Sequence, residues 1–227
     1  FSGRTLCTLP CDHEFHKECV EELRKHGVQQ ACPLCRVDLP GGPEKLCEDA
    51  TRMFVKMSTR YQRSMAGAWK PQTVSKKKIM VQIVNMWTNA ANQGHIRAQY
   101  NLGFNYSRGW GVAQDYKTAM RWFRKAADQG MADAQFCVGS MYQGDDWHSG
   151  QGVDEDYKTA MRWFRKAAEQ CMPESQLIMA ELLSVGDKDA GIPQDLELAL
   201  FYVSAAEAQG IEGTRELRED IEAALSK

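Results

Sequence analysis

A single segment occurs almost twice in this chain. DYKTAMRWFRKAADQG at 115–130 returns as DYKTAMRWFRKAAEQC at 156–171, an offset of 41 residues. A worn copy, DLELALFYVSAAEAQG, follows at 195–210, and WTNAANQG (87–94) aligns with FRKAADQG (123–130). Between the copies lie partner segments, AQYNLGFNY (98–106), AQFCVGSMY (134–142) and SQLIMAELL (175–183). A period of this length excludes one closed core and predicts an all-α solenoid of stacked helix-turn-helix units.

Each unit reads as two helices. Asp115 is placed to cap the second helix, because its carboxylate can accept the unpaired N–H groups of the first turn. Tyr116, Ala119, Phe123, Ala126 and Ala127 share one face, and Gly130 supplies the positive φ that ends the helix. In the first helix Ala98, Leu102, Gly103 and Tyr106 mark the buried face, with Ala98 and Gly103 small enough for a neighbour to approach closely. Cys171 replaces Gly130 in the second copy, so that helix is expected to end less cleanly or to run into Pro173. Ala180 keeps the small residue found at Gly139. The loop after Tyr142 is longer than its counterpart and carries Trp147 and His148. Thr214 and Glu219 break the pattern of small residues, so 211–227 is expected to close the stack as a charged helix.

These segments resemble the Sel1-like repeat family, a relative of the tetratricopeptide repeats. The resemblance rests on A-x-x-x-L-G-x-x-Y, on the G-x-G-V loops (GWGV, 109–112; GQGV, 150–153) and on the D-Y-x-x-A-x-x-W-F-x-K-A-A helix. It implies a scaffold whose protein partner lies on the concave face, lined by the first helices, with Gln99, Asn105, Gln135 and Met141 as candidates. Trp122 and Trp163 fit packing positions better than a cofactor box.

The amino-terminal stretch carries different chemistry. CDHEFHKECVEELRKHGVQQACPLC (11–35) interleaves cysteines and histidines, which suits tetrahedral zinc and is not needed by a disulfide framework. The spacing C-x-H-x2-H-x2-C-x12-C-P-L-C resembles the last six ligands of a two-histidine RING finger. The resemblance implies one complete Zn2+ site at Cys11, His13, Cys32 and Cys35, and half a site at His16 and Cys19, with the missing pair expected upstream of Phe1. It further implies ubiquitin transfer by orientation, without a covalent intermediate. Leu23, Pro33 and Leu34 would dock a ubiquitin-conjugating enzyme, and Arg36 would bridge that enzyme and ubiquitin. Residues 1–227 alone are expected to transfer ubiquitin poorly. A non-catalytic scaffold with a structural zinc module is the alternative reading.

Three regions follow: a zinc module (1–42), a basic connector with a helix at 43–64 (43–78), and the stack with its closing helix (79–227). Charge divides along them. Residues 43–78 hold 9 cations against 3 carboxylates, whereas 79–227 hold 14 against 21. SKKK (75–78) reads as the solvated start of a helix, and nucleic acid is not an expected partner. No apolar run approaches the ~18 residues of a membrane helix, and no basic-then-apolar leader follows Phe1. The cysteine pattern favours a reducing cytoplasmic or nuclear compartment. Outside the zinc module there is no nucleophile beside a base, no phosphate-binding glycine loop and no carboxylate pair with an assignable job. Cys47 reads as an ordinary helix cysteine, and His26, His95 and His148 as surface residues.

Overall fold

The computed structural model describes residues 6–8, 14–16, 42–62, 74–144, 155–186 and 191–226. Two short strands, β1 (Leu6–Thr8) and β2 (Glu14–His16), pair antiparallel with Cys7 opposite Phe15. Nine helices follow among the described residues: α1 (Pro43–Gln62), α2 (Val74–Asn92), α3 (Ile96–Arg108), α4 (Tyr116–Asp128), α5 (Ala132–Gln143), α6 (Tyr157–Glu169), α7 (Pro173–Val185), α8 (Leu196–Ala208) and α9 (Thr214–Leu225). The principal contacts join helices consecutive in the chain, with α7–α9 as the longer-range exception. That is the quasi-one-dimensional packing of a solenoid, in which each unit is completed by its neighbours.

The second helices form where the sequence signals them. Thr118 donates its backbone N–H to Asp115 Oδ1 (3.1 Å) and its hydroxyl to Oδ2 (2.6 Å); Thr159 repeats both bonds on Asp156. Asp195 caps α8 through the Leu198 N–H at 3.0 Å. Ala119, Phe123, Ala126 and Ala127 are buried, as the periodicity predicts. Each loop between first and second helix is tied back by a backbone bond of 2.9 Å, from Asp115 to Tyr106, Asp156 to Tyr142 and Asp195 to Leu183.

The hydrogen bonds from Thr118 and Thr159 hold the Asp115 and Asp156 carboxyls below the ordinary carboxylate value of 3.8. A lowered folded-state pKa contributes stability that is complete above the unfolded value and is lost as pH falls through the folded one. The double variant Asp115→Asn/Asp156→Asn keeps the capping acceptors but cannot titrate there. Its melting temperature is expected to fall less than that of the native chain as pH is taken from about 5 to about 3, which thermal melts across that range would show.

Small residues set the helix spacing. A Cβ built on Gly103 would lie 2.5 Å from the Phe123 ring, and one on Gly139 2.7 Å from the Phe164 ring. The third unit has Ala180 at this first-helix position and Val203 where Phe123 and Phe164 stand, both fully buried in one cluster. A larger residue on one helix is thus matched by a smaller one on its partner. The G-x-G-V loop serves the same close packing. Gly111 has φ +77 and would bring a Cβ to 3.0 Å from the Met80 backbone. Its neighbour Trp110 packs against Phe104 (5.4 Å) and Phe54 (6.3 Å), joining α1 and α3.

One expectation about the helix ends is corrected. α6 stops at Glu169, the position matching the Asp128 end of α4, and does not run into Pro173. Cys171 takes the left-handed conformation itself, with φ 62. The turn is held by Gln170 N–H to Ala167, Cys171 N–H to Ala168 and Met172 N–H to Ala167, the same bonds that close α4. Left-handed backbone costs a residue with a Cβ about 1–2 kcal/mol, so Cys171→Gly is expected to stabilise the chain by about 1 kcal/mol, read as a raised urea midpoint.

The charged helix expected within 211–227 is α9, which packs mainly against α8. α9 buries Thr214 and Ile221 and exposes Glu219. The helix expected at 43–64 is α1, which buries Cys47, Ala50 and Met57 with Met80, Ile83, Val84 and Trp87 of α2. The loop holding Trp147 and His148 lies outside the described residues.

Candidate functional site

Two sites have to be considered, the first-helix surface and the amino-terminal module. On the solenoid, α3 and α5 border a groove of about 450 Å³ that reaches the start of α7. Tyr100, Phe104 and Phe136 give it aromatic walls, Arg108 and Asp133 stand at its rim, and Cys137 lies between. These side chains are placed by the packing beneath them. Tyr100 leans on Phe123 (5.8 Å) and Phe136 on Phe164 (5.8 Å), while the Arg108 guanidinium lies 5.2 Å from the Phe104 ring centre. Burial first, then the neighbouring Cys137 and Asp133, pushes the Tyr100 phenol well above its usual pKa. It therefore stays protonated and remains a hydrogen-bond donor at neutral pH. Such a groove can take an apolar or aromatic side chain from a partner and orient it with polar groups at the edge.

A second groove of about 770 Å³ lies between α1 and the start of α3, with Glu44, Glu48, Arg52 and Lys56 on one side and His95 and Arg97 on the other. His95 is not a plain surface residue. It caps α3, its Nδ1 accepting the Ala98 N–H at 3.2 Å. Cys47 beneath this groove is 3% exposed, and burial pushes its thiol up. That is the state of a packed, unreactive cysteine.

The four candidates for partner contact on the first helices are all buried and need correction. Gln99 is 4% exposed, Gln135 5%, Asn105 2% and Met141 2%. The glutamines work inside the stack. Gln99 Nε2 donates to the Ala91 carbonyl (3.2 Å) while its Oε1 accepts from Gln129 Nε2 (2.6 Å). Gln135 makes the same pair of bonds with Ala127 and Gln170, and Gln176 with Ala168 and Gln209. Each therefore staples its own unit to the end of the preceding one. The signal was present in the sequence as a glutamine before each helix-ending position (129, 170, 209) and one in each first helix (99, 135, 176). Asn105 donates Nδ2 to the Asn101 carbonyl at 2.6 Å. The aromatic residues that line the groove are instead Tyr100, Phe104 and Phe136, each half-buried and one position away from Gln99, Asn105 and Gln135.

Trp163 is 8% exposed within the middle core cluster, and Trp122 packs against the amino-terminal one. Lys125 and Lys166 lie 4.2 Å from the Trp122 and Trp163 ring centres. Both tryptophans are packing residues, as expected.

In the amino-terminal module, β1 and β2 flank residues 9–13, which include Cys11 and His13, and His16 ends β2 opposite Leu6. Cys11, His13, Cys19, Leu23, Cys32, Pro33, Leu34, Cys35 and Arg36 lie outside the described residues, as does the side chain of His16. The donor set itself fits zinc, being imidazoles and thiolates paired at turn spacing. Among the described residues no helix is long and apolar enough to cross a membrane.

Comparison with known proteins assigns both parts. The Sel1 repeat model matches residues 96–131, 132–170 and 173–211, and the Ring finger domain model matches residues 1–36. The crystal structure of a Sel1 repeat protein from Oxalobacter formigenes superposes with a TM-score of 0.52 at 30% identity, covering 59% of this chain and 95% of that one. The protective antigen c5321 of uropathogenic Escherichia coli superposes with a TM-score of 0.56 at 30% identity, covering 77% of this chain and 35% of that one. Over 38 residues the chain is 47% identical to the E3 ubiquitin-protein ligase RNF181 of Xenopus tropicalis. That match covers 17% of this chain and 23% of the relative, so the chain spans under a quarter of the curated protein it matches.

Proposed function

Since the chain belongs to the Sel1 repeat family and carries a Ring finger match ahead of its repeats, we propose that it is a RING-type ubiquitin ligase or ligase subunit whose solenoid recruits a protein substrate or adaptor. The observation that carries this reading is the pairing of a match to a ubiquitin ligase at one end with an aromatic groove on the first helices at the other. In this reading residues 1–42 form the zinc module, 43–78 the connector and 79–227 the recruiting stack.

Cys11, His13, Cys32 and Cys35 would hold one Zn2+, with His16 and Cys19 contributing to a second. The metal's part is structural, fixing loops that could not otherwise form a rigid surface. Leu23, Pro33 and Leu34 would receive the conjugating enzyme. Arg36 would donate from its planar fork to the enzyme and to ubiquitin at once, a geometry that lysine's point charge does not supply. Such an arrangement accelerates transfer by holding a loaded thioester in a reactive pose. The substrate side belongs to Tyr100, Phe104 and Phe136, in the groove bordered by α3 and α5.

The test is single-turnover discharge of ubiquitin from a loaded conjugating enzyme, run on the natural gene product. Arg36→Ala is expected to slow discharge about tenfold or more through lost orientation, with zinc content unchanged. Native mass spectrometry of residues 1–227 is expected to count one zinc per chain, lost in Cys32→Ser/Cys35→Ser. A zinc-replete natural protein that leaves every loaded conjugating enzyme intact would instead be a scaffold with a structural metal module.

A further inference from the structure

We propose that the solvent-facing side of α4 and α6 is a docking surface for an acidic, leucine-containing segment of a partner protein, distinct from the first-helix groove. Each of these helices carries four cations and one carboxylate, although residues 79–227 as a whole are acidic. One cation of each set, Lys125 or Lys166, lies over a tryptophan. The other three, Lys117, Arg121 and Arg124 on α4 and Lys158, Arg162 and Arg165 on α6, are exposed, and none forms a salt bridge among the described residues. Arg121 donates to the Thr118 hydroxyl at 2.7 Å, which fixes its direction close enough to Asp115 to help lower that carboxyl's pKa, without an ion-pair contact to it.

On α6 the three cations surround a depression of about 250 Å³ closed by Gly191, Ile192 and Pro193. Gly191 makes room for this, since a Cβ there would lie 2.6 Å from the Lys158 side chain. Met161 lies with Ile192 and Pro193 in the lining. The combination of cationic rim and apolar floor selects the ligand. A carboxylate on a short methylene stem, next to an apolar residue, satisfies both parts. The cations recur every three or four residues, roughly 4.5–6 Å along the helix. Alternate residues of an extended peptide stand about 6.6–6.8 Å apart on one side, so successive carboxylates can reach successive cations.

The same details disfavour a long polyanion. Asp115, Asp128, Asp156 and Glu169 interrupt the positive field at both helix ends, and a phosphate backbone has no use for an apolar floor. The third unit marks the limit of the surface. There Glu197, Phe201 and Ser204 occupy the positions of Lys158, Arg162 and Arg165, and Phe201 is exposed.

The experiment is fluorescence anisotropy of the full chain with a labelled peptide of alternating glutamate and leucine. Saturable binding that weakens as salt rises is expected, with little binding of the glutamine–leucine counterpart. Arg162→Glu/Arg165→Glu is expected to weaken binding at least about tenfold, while its melting temperature stays near that of the native chain because both side chains are exposed. Tyr100→Ala/Phe136→Ala, in the other groove, is expected to bind the acidic peptide as the native chain does. Failure of the acidic peptide to bind overturns the proposal. So does equal binding by the Arg162→Glu/Arg165→Glu variant, or tighter binding of duplex DNA or phosphatidylserine vesicles than of the peptide. None of these readouts depends on ubiquitin transfer, so the surface and the ligase reading can fail separately.

Discussion

Phe164→Ala is expected to cost about 3–5 kcal/mol. Phe164 is fully buried and lies against Phe136 on one side and Gly139 on another. Removing the ring leaves a cavity between α5 and α6 that helices tied at both ends cannot collapse to fill. The facing glycine makes a sharper test. Gly139→Ala gains up to about 1 kcal/mol of helix propensity, but its methyl would meet the ring at 2.7 Å. Overpacking of that kind costs about 1–3 kcal/mol, so with the helix-propensity gain set against it the single variant is expected to lose about 0–2 kcal/mol. The third unit already contains the remedy, with Ala180 facing the smaller residue at 203. Gly139→Ala/Phe164→Val is therefore expected to be more stable than the two single effects predict, by at least about 1 kcal/mol. Urea midpoints of the four chains complete the cycle. Strict additivity would mean that the two positions do not set one another's size.

Gln135→Leu should lose about 2 kcal/mol although leucine is similar in size and more apolar. The substitution removes the donor to Ala127 and the acceptor for Gln170, both inside the stack, and a buried polar group left without its partner costs about 1–3 kcal/mol. The comparison that isolates this effect is Gln93→Leu. Gln93 is exposed and bonds only locally, to Asn89 at 3.0 Å, so its replacement is expected to fall within about 0.5 kcal/mol of native. Equal effects at 93 and 135 would show that the glutamine staple contributes nothing. Because Gln135 joins neighbouring units, its loss should also reduce cooperativity between repeats, visible as a shallower urea transition.

Much of the architecture could be read from residues close together in the chain. Asp115 and Asp156 announce helix starts, Gly130 a helix end, and Gly103 and Gly139 a close approach, because capping, backbone conformation and side-chain volume are decided within a turn or two. The ring-finger spacing is local in the same way, which is why the match at 1–36 was legible. Cys171 was misread because a cysteine carries no preference for positive φ. It adopts that conformation because the turn around it is held by bonds that the preceding copy also makes.

The surface of the solenoid was a different matter. Gln99 and Gln135 are polar residues on amphipathic helices, and taken one helix at a time they belong on a binding face. They are buried because the end of the preceding unit lies over them and offers a carbonyl, while a glutamine 30 or 35 residues further on offers an amide. Tyr100 and Phe136, apolar and apparently core residues, line the groove instead. Short-range chemistry thus determined which helices form, where they turn and which face of α4 is apolar and buried, whereas only the stacking of units decided which polar residues of the first helices leave water. The burial of Gln99 and Gln135 depends on neighbours distant in the chain, and no single helix encodes it.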